Sequence, residues 1–531
     1  GGFHMRKVKP SLGNYYKLPN PGLRAFFKHN VSGQPDDYRP PFWNKMDRHA
    51  VLELWTKECE RLGFSEKYPE LWSFEKDMES KVGPMSIQKP LQDRLQDIEN
   101  YYTMIEVNSV PISEQAIQAT KDFFKPVKGI RLRSRERATL KMKLSTNSGS
   151  WLFTKRRKVV KDTLKSTLRV ENNHLYAYTP DGKYQISGTL GWRGQEGGSE
   201  PDDVKQRVVI MASFLLNQYE AQFYQPFIEA CQKSKIIPAW ISMDQVDQEV
   251  TALFDSKSNN DLVICTDFTK FDQHWNAALK DATYKVYDYL SDGAYDKEFY
   301  YARFNTPIIC SEDIAYEGTT GMQSGLNGTN PDENVGHKSL QFEAALSKSQ
   351  ILNPHSMAYG DDGIISYPGI TVEDVIQAYT KHGLEMNATK QYVSTHDCVF
   401  LRRWHGMNYR VNGIMVGVYS TYRALGRLLA QERYYDPEKW NDRMVTLRAL
   451  SILENCKWHP YFESFVDFVI KGDKLRLGLA IPGFFDELPQ LAEEAIEAYS
   501  DFLGYTKSLQ QDTSAKGIMN WRVVRYLQSK L

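Results

Sequence analysis

The chain has little of what marks a secreted, membrane-spanning or zinc-stabilised protein. Its 531 residues include six cysteines, which are far apart, and no pair has the CxxC spacing of a zinc site. We therefore expect reduced thiols and a cytosolic setting. No apolar run reaches the roughly 18 residues of a membrane span, and no secretory leader is recognisable. The residues before Met5 are interpreted as a cloning remnant.

Net charge is also absent. Lys and Arg together number 66, as do Asp and Glu, so the formal charge is zero. Overall charge therefore does not predict nucleic-acid binding, and any basic surface must be local. With 41% hydrophobic residues the chain can bury a large core, and about 100–200 residues per domain predicts about three domains.

A turn with two adjacent carboxylates lies between two apolar runs. Tyr359-Gly-Asp-Asp-Gly363 interrupts the β-prone range 356–366, and Asp-Gly in such a place predicts a tight hairpin. Adjacent carboxylates repel each other unless a cation is bound, and their hard oxygen atoms suit Mg²⁺ or Mn²⁺. The turn is a candidate metal site, although an ordinary acidic turn has the same pattern.

Basic residues concentrate in the range 121–165. Two clusters flank a polar turn, and Trp151 and Phe153 lie between them. Cations interleaved with aromatic rings suit a groove that binds nucleic acid. A solvated basic face is the alternative. Candidate contacts here are Thr146, Ser148, Gly149, Lys155 and Arg156.

Two apolar strands have charged residues at one end. Lys205 and Arg207 precede the apolar stretch 208–211 and could meet a triphosphate, although an exposed strand end has the same pattern. A second strand is predicted at 262–266 and ends at Asp267. Asp272 follows after the chain has left that strand.

The range 318–329 is a loop rich in glycine, hydroxyls and amides, followed by a helix-compatible stretch. Such a loop allows close backbone approach to a ligand. It is not a Walker A loop, because no Gly-Lys-Ser/Thr stands at the required spacing. A mobile surface loop is the alternative.

The remaining chain is predicted to be mainly helical. A helix begins at Thr371, with Lys390 in a loop beyond it, and residues 399–403 are predicted as a short strand with Arg403 at its basic end. Helices follow from about residue 419, and the segment 507–531 is predicted to be a regulatory tail.

In this order the segments resemble the motifs of viral RNA-dependent RNA polymerases, over about residues 146–403. The agreement of at least five ordered motifs makes the resemblance specific. The full chain most resembles the polymerases of small segmented double-stranded RNA viruses, picobirnaviruses in particular. The matching segments are Asp267-Phe-Thr-Lys-Phe-Asp272 (motif A), Ser324-Gly-Leu-Asn-Gly-Thr329 (B), Tyr359-Gly-Asp-Asp-Gly363 (C), the Thr371 helix with Lys390 (D), Phe400-Leu-Arg-Arg403 (E), Lys205-Gln-Arg207 (F) and Thr146-Asn-Ser-Gly149 (G).

The resemblance implies an α+β fold in the form of a closed right hand, with an antiparallel sheet in the palm and a mainly helical thumb. Residues 1–120 would form an N-terminal arm and a bridge between fingertips and thumb. Residues 121–255 would form the fingers, and 256–405 the palm with a fingers insertion at about 275–318. Residues 406–531 would form the thumb and C-terminal tail.

It also implies nucleotidyl transfer with two Mg²⁺ or Mn²⁺ ions as cofactors. Asp267 and Asp361 would be the principal metal ligands and Asp362 a secondary one. Lys390 would be the general acid for pyrophosphate. Nucleotide contacts would be Lys205 and Arg207 for the triphosphate, with Asp272, Ser324, Thr329 and Asn334 around the ribose; Arg403 would contact RNA.

Two positions depart from the family pattern. Motif B usually has Asn four residues after its Thr, where this chain has Glu333. Asn330 and Asn334 are nearby, and we favour Asn334 as the ribose contact. Motif G commonly has Pro where Trp151 stands, which leaves the template path there open.

The implied partners are a single-stranded RNA template, a double-stranded RNA product, ribonucleoside triphosphates and a viral capsid protein. The resemblance further implies a monomer without membrane contact, located in the virion interior or host cytoplasm. It implies replication and transcription of a segmented double-stranded RNA genome with primer-independent initiation.

Two other functions are compatible with parts of the pattern. A reverse transcriptase shares the paired-aspartate hairpin, but typically has a bulky aromatic residue where Asp272 stands and often a ribonuclease H domain. A non-catalytic RNA-binding virion protein would keep the basic clusters, but the intact Asp267, Asp361 and Asp362 favour catalysis.

Overall fold

The computed structural model describes residues 4–498 and 515–531, and it consists of helices and small sheets. The strands are β1 Arg6–Val8, β2 Thr167–Glu171, β3 His174–Thr179, β4 Gly182–Gln185, β5 Gly188–Gln195, β6 Lys205–Met211, β7 Val263–Thr266, β8 Ile308–Ile309, β9 Ala315–Glu317, β10 Met357–Tyr359, β11 Asp362–Ile365, β12 Tyr392–Ser394, β13 Asp397–Phe400, β14 Arg403–Gly406 and β15 Val418–Tyr419. The helices are α1 Pro21–Ser32, α2 Arg48–Leu62, α3 Phe64–Lys67, α4 Pro69–Ser80, α5 Leu95–Thr103, α6 Glu114–Phe124, α7 Arg135–Leu140, α8 Val160–Leu164, α9 Phe214–Lys233, α10 Met243–Ser256, α11 Ala277–Leu290, α12 Lys297–Ala302, α13 Thr329–Ser347, α14 Val372–Thr380, α15 Thr421–Leu428, α16 Asp442–Glu454, α17 Phe462–Gly472, α18 Phe484–Ala498 and α19 Arg522–Gln528.

The strands pair into separate sheets. The largest has the order β1-β9-β8-β5-β6, and a four-stranded sheet has the order β10-β11-β7-β12. Two three-stranded sheets consist of β13-β14-β15 and β2-β3-β4. Pairings are antiparallel apart from that of β5 with β8, which is parallel. The fold is therefore α+β, as the sequence predicts.

The four-stranded sheet lies between two layers of helix. β7 is buried at all of its positions, which explains its run of apolar and small residues without polar alternation. Its residues Val263 and Cys265 pack in a core with α10. Ile264 faces the larger core formed with α11, α13 and α14. Because helices cover both of its faces, this sheet is a rigid support for the residues at the ends of its strands.

The amino-terminal residues join two distant parts of the fold. β1 pairs with β9 at the edge of the five-stranded sheet, whereas α2 and α4 share a core with α15, α16 and α17. Trp55 Nε1 donates a hydrogen bond to Thr421 Oγ1 (2.9 Å). The buried Glu75 carboxylate accepts from the Thr421 N–H (3.1 Å) and lies 3.2 Å from His459 Nε2. These contacts join α2 and α4 to the helices that follow residue 420.

The structure confirms the hairpin at 356–366, the strand ending at Thr266 and the helix beginning after Thr371. The single strand predicted at 399–403 is wrong. Leu401 and Arg402 have φ values of 53° and 61°, so they form a turn between β13 and β14. Because β15 pairs with β14, this sheet continues to residue 419 and crosses the boundary predicted at 405.

The C-terminal tail predicted at 507–531 is described only in part, because residues 507–514 lie outside the described residues. Its last helix, α19, buries Val523, Val524 and Leu527 in the core it shares with α16 and α18. A search of the described residues finds no helix with the length and apolar character of a membrane span.

A buried ion cluster fixes the loop that precedes α13. The guanidinium of Arg303, which is completely buried, lies 2.9 Å from Glu220 on α9 and 2.7 Å from Asp332 on α13. Glu220 also accepts hydrogen bonds of 3.0 Å from the backbone N–H groups of Asn327 and Gly328. The cluster therefore ties the glycine-rich loop to α9.

We expect Arg303→Met to lower the melting temperature strongly, because removing one partner of a buried ion pair costs about 3–5 kcal/mol. Scanning fluorimetry would measure the shift. Arg24→Met is the matched control. Arg24 lies 3.1 Å from Glu312, and both side chains are exposed. Such an exposed ion pair contributes less than about 1 kcal/mol to stability. Equal melting temperatures for the two variants would contradict this account.

Candidate active site

One cavity brings together the charged residues predicted for catalysis and triphosphate binding. The register of β7 and β11 explains why two aspartates are neighbours. The strands are antiparallel and Gly363 pairs with Thr266, so Asp362, which precedes Gly363, lies beside Asp267, which follows Thr266. Asp361 is in the two-residue turn between β10 and β11 and is exposed. The cavity has a volume of about 580 Å³. Six of the predicted catalytic and triphosphate-binding residues line it: Asp267, Asp361, Asp362, Lys205, Arg207 and Lys390.

The carboxylates of this cavity repel one another. Burial raises the pKa of Asp267, the charge of Asp361 raises it further, and Lys390 opposes the shift. Burial, followed by the charge of Asp361, raises the pKa of Asp362 to about 7. A cation held between Asp267 and Asp361 would relieve this repulsion.

The donor set fits a hard divalent cation but is open. In residues 4–498 and 515–531, no three His, Cys, Asp or Glu side chains converge closely enough to hold a metal on their own. Asp362 Oδ2 already accepts a hydrogen bond from the Leu401 N–H (2.8 Å), which leaves Asp267 and Asp361 as the main donors. Mg²⁺ commonly takes one or two carboxylates and completes its shell with water and substrate phosphates.

Helix α13 holds the turn that carries Asp361. The Gly360 N–H donates to Asn334 Oδ1 (2.7 Å), and the Gly360 carbonyl accepts from His337 Nδ1 (2.9 Å). Burial lowers the pKa of His337 to about 4, so the ring is neutral and its proton is on Nδ1. Gly360 has φ 61°, which favours glycine. We call these two hydrogen bonds, from Asn334 and His337 of α13 to Gly360, the Gly360 clamp. The clamp fixes the backbone N–H and carbonyl of Gly360, the residue before Asp361.

Two further features let α13 approach the hairpin closely. A Cβ at Gly363 would lie 2.7 Å from the His337 ring, so a larger residue there would displace the helix. Lys338 Nζ donates to the Ser356 carbonyl (2.7 Å), and Gln341 Nε2 donates to that of Met357 (2.9 Å). α13 thus supports the hairpin from its base to its turn.

Gln391 positions Asp267 and was not recognisable from the sequence. Its Oε1 accepts from the Asp267 N–H (2.7 Å), and its Nε2 donates to the Asp267 carbonyl (2.9 Å). This double contact holds the end of β7 against the segment that carries Lys390. A single Gln in a loop carries no pattern that would have indicated it.

Asn334, predicted as the ribose contact, has hydrogen-bond partners within the fold, and its contact with the ribose stays a prediction. The Asn334 side chain is engaged by Gly360 and by Asn330 Oδ1, to which it donates at 3.0 Å. The neighbouring Glu333 is buried; burial raises its pKa well above the usual value, and the charge of Asp272 raises it further. Successive helical residues differ by about 100° in direction, so Glu333 and Asn334 serve different neighbours.

The glycine-rich loop is braced by the hydroxyls predicted to bind nucleotide. Thr329 Oγ1 donates to the Gln323 carbonyl (2.7 Å), which closes the loop on itself. Ser324 Oγ accepts from the Ile210 N–H of β6 (3.0 Å), and Ser324 is exposed. Both hydroxyls therefore support the loop, and nucleotide contact by Thr329 and by Ser324 stays a prediction.

Strand β6 presents Lys205 and Arg207 to the cavity because alternate residues of a strand point to opposite faces. Gln206, between them, is held behind the strand by Arg94 Nη1 (3.0 Å) and the Ile87 carbonyl (2.9 Å). Burial lowers the pKa of Lys205, and nearby cations including Arg207 lower it further. The positive charges of Lys205 and its neighbours repel one another, and a bound polyanion such as a triphosphate would offset this repulsion.

Four of the predicted RNA contacts have partners or close neighbours within the fold, and RNA binding by these residues stays a prediction. Arg403 is buried and lies 2.9 Å from Asp247. Arg156 donates to Asn217 Oδ1 (2.8 Å), and burial lowers its pKa to about 10. Ser148 is buried, its Oγ accepts from the Thr154 N–H (3.1 Å), and a Cβ at Gly149 would lie 2.5 Å from a backbone oxygen. Contacts by the exposed Lys155 and by the partly exposed Thr146 stay predictions.

A second cavity, of about 390 Å³, shares Asp361 and Asp362 with the first. Two glutamates offset part of its positive charge, with Glu432 at 3.0 Å from Arg193 and Glu196 at 3.6 Å from Arg423. Of its arginines, the sequence singled out Arg207 and, within the motif E segment, Arg402; it gave no sign that the others meet them at one cavity. The arginines that line it are Arg193, Arg207, Arg402, Arg423, Arg427, Arg433 and Arg448.

Comparison with known proteins agrees with this geometry. The family model described as viral RNA-dependent RNA polymerase matches residues 199–468. A protein of human picobirnavirus (strain Human/Thailand/Hy005102/-), described as a potential RNA-dependent RNA polymerase, is 47% identical over 99% of this chain and 100% of its own length.

Solved structures give the same result. The crystal structure of the RNA-dependent RNA polymerase of a human picobirnavirus superposes with a TM-score of 0.92 at 47% identity, covering 99% of this chain and 100% of that one. An insertion-loop deletion mutant of a human picobirnavirus polymerase superposes with a TM-score of 0.90 at 45% identity and the same coverage. With its aspartates at the ends of paired strands and its full-length likeness to these proteins, the chain belongs to the viral RNA-dependent RNA polymerases.

Proposed function

We propose that this polymerase joins ribonucleotides on an RNA template by a two-metal mechanism centred on Asp267 and Asp361. The observation that carries the proposal is the meeting of opposite charges in one cavity. Aspartates lie at the strand ends, and Lys205, Arg207 and Lys390 lie in the walls. A metal–triphosphate complex has the matching charge pattern.

Two divalent cations bound there would lower the pKa of the primer 3′-hydroxyl and stabilise the pyrophosphate that leaves. The protein supplies orientation. Gln391 holds Asp267, and the Gly360 clamp holds Asp361. Lys205 and Arg207 bind the triphosphate, and Lys390 donates a proton to the departing pyrophosphate.

We also propose the right-hand arrangement, with residues 121–255 as fingers and 275–318 as an insertion into them. The parallel pairing of β5 with β8 supports this, because it joins those two ranges. The palm would run from 256 to about 419 rather than 405, since β15 completes its second sheet. The remaining residues, 420–531, would be the thumb, on which α2 and α4 of the first 120 residues pack.

Initiation without a primer is proposed from the second cavity. It lies beside Asp361 and Asp362 and has seven arginines among its lining residues, several of them from the C-terminal helices. Arginine binds phosphate groups bidentately. The cavity could therefore hold the triphosphate of a first nucleotide that takes the place of a primer.

The wider biological role follows from the family. The chain would replicate and transcribe a segmented double-stranded RNA genome, acting as a monomer in the virion interior or host cytoplasm. A capsid protein would be its further partner. These statements are part of the proposal.

We expect the wild-type protein to make template-length product from radiolabelled ribonucleoside triphosphates on single-stranded RNA without primer, in Mg²⁺ or Mn²⁺. Asp361→Ala should make none, because a principal metal ligand is lost. Asp181→Ala, an exposed carboxylate outside both cavities, is the control. Product that appears only with an annealed primer would contradict unaided initiation. RNA binding without any product would favour a non-catalytic role.

We expect Lys390→Leu to slow single-nucleotide turnover by about 10²–10⁴-fold, the usual contribution of a general acid. Lys390→Arg should be slowed similarly, because Arg keeps the charge but does not release its proton. Lys381→Leu, on an exposed residue outside the cavity, should retain wild-type turnover. Unchanged turnover in Lys390→Leu would show that the assignment is wrong.

A further inference from the structure

The small sheet formed by β2, β3 and β4 has one face on the core and one face towards solvent. Alternate residues of a strand point to opposite faces. Leu168 of β2, Leu175 of β3 and Tyr184 of β4 pack in or against the large core that includes residues of α9. The outward side chains used below, which we call the Tyr178 face, are Arg169, Glu171, Tyr176, Tyr178 and Lys183. The structure describes all five, and they are outside the linings of the two cavities beside the aspartates.

Strand register brings aromatic rings and cations together on the Tyr178 face. Tyr176 pairs with Arg169 of β2, and Tyr178 pairs with Lys183 of β4. The Arg169 guanidinium lies over the Tyr178 ring, 4.5 Å from its centroid. Lys183 Nζ lies 4.5 Å from the centroid of the Tyr176 ring. Both cations are exposed and both rings are partly exposed, so this face presents aromatic surface and positive charge to solvent.

Positive charge is in excess on the Tyr178 face. Glu171 is its one acidic member; it lies 2.8 Å from Lys183 and also accepts from the Tyr178 hydroxyl. Arg169 adds a second positive charge, which Glu171 does not balance once it is paired with Lys183. Lys161 and Lys165, both exposed, lie just before β2, so the face continues the basic range 121–165. The surface as a whole is complementary to a polyanion.

We propose that the Tyr178 face is a second RNA-binding site, which holds single-stranded RNA outside the catalytic cavities. Proteins that bind single strands combine cations that follow the phosphates with aromatic rings on which bases stack. Bases also stack on arginine guanidinium planes, and the exposed guanidinium of Arg169 is already held in place over Tyr178. Unpaired bases expose their ring faces and paired bases do not, so the ligand is single-stranded.

This site goes beyond the proposed catalytic function, because none of its residues contacts the reacting atoms. A strand held on the Tyr178 face stays close to the polymerase while its remaining length is free to reach the catalytic cavity. Such tethering raises the effective concentration of RNA at that cavity without any new contact there.

The test is the binding of a fluorescein-labelled single-stranded RNA of about 10 nucleotides, within the range of sites that stack bases, measured by fluorescence anisotropy. The polymerase is first saturated with an unlabelled primed template, so that the catalytic cavity is occupied. We expect Tyr178→Ala to weaken binding by about 5- to 150-fold, as the loss of one stacked base implies. Arg169→Gln should lower the slope of log K against log salt by about 0.7, the value for one phosphate contact on a single strand.

Tyr526→Ala is the matched control and should bind like wild type. Tyr526 has the same kind of neighbours as Tyr178, since its hydroxyl donates to Asp467 and Lys530 lies over its ring, but it is on α19. The exposed position of Arg169 makes Arg169→Gln informative even if Tyr178→Ala does not fold.

Crosslinking locates the site directly. RNA that carries 4-thiouridine should crosslink to the peptide 167–185 of the saturated wild-type protein. Unchanged affinity and salt slope in both variants, an equal loss in Tyr526→Ala, or crosslinks confined to residues of the catalytic cavities would overturn the proposal. Equally tight binding of a labelled polyglutamate peptide would also overturn it, because the site would then select charge alone. The assay needs no nucleotide addition, so its outcome is independent of the proposed catalytic function.

Discussion

The hold of α13 on the β10–β11 hairpin is the constraint on which the rest of the site depends. The two-residue turn carries the exposed carboxylate of Asp361 next to Asp267 and Asp362, whose charges repel it. Asn334 and His337 hold the turn by fixing the N–H and the carbonyl of Gly360. The same helix begins at the glycine-rich loop. One element therefore connects the glycine-rich loop with the hairpin that carries Asp361.

In the cavity, like charges lie close together on each wall, carboxylates on one wall and cations on the other, so each charged group is destabilised by its neighbours. Burial and mutual repulsion raise the pKa of Asp267 and Asp362 on one side, and they lower that of Lys205 on the other. Bound cations would stabilise the charged carboxylates, and a bound triphosphate would stabilise the charged Lys205. In the buried cluster of Arg303 with Glu220 and Asp332, by contrast, opposite charges are paired. The contrast marks the cavity as functional and the cluster as structural.

How much of the site was predictable depended on distance along the chain. Asp267 and Asp361 were predictable because each interrupts an apolar run beside a turn. Gly360 lies 26 residues from Asn334, and Asp267 lies 124 residues from Gln391, so only the folded chain reveals these contacts. The partners within the fold of basic residues predicted to bind RNA were hidden for the same reason. The partner of Arg403 is 156 residues away, and no local pattern shows that the side chain is buried.

Anomalous diffraction from crystals soaked in Mn²⁺ with a non-hydrolysable ribonucleoside triphosphate tests the central claim most directly. The account predicts two peaks about 3.5–4 Å apart between Asp267 and Asp361 in the wild-type protein. It also predicts weaker peaks in Asn334→Leu at the same Mn²⁺ concentration, because outer-shell changes typically cost 10–100-fold in metal affinity. Peaks absent from these carboxylates in wild type, or undiminished in the variant, would contradict it.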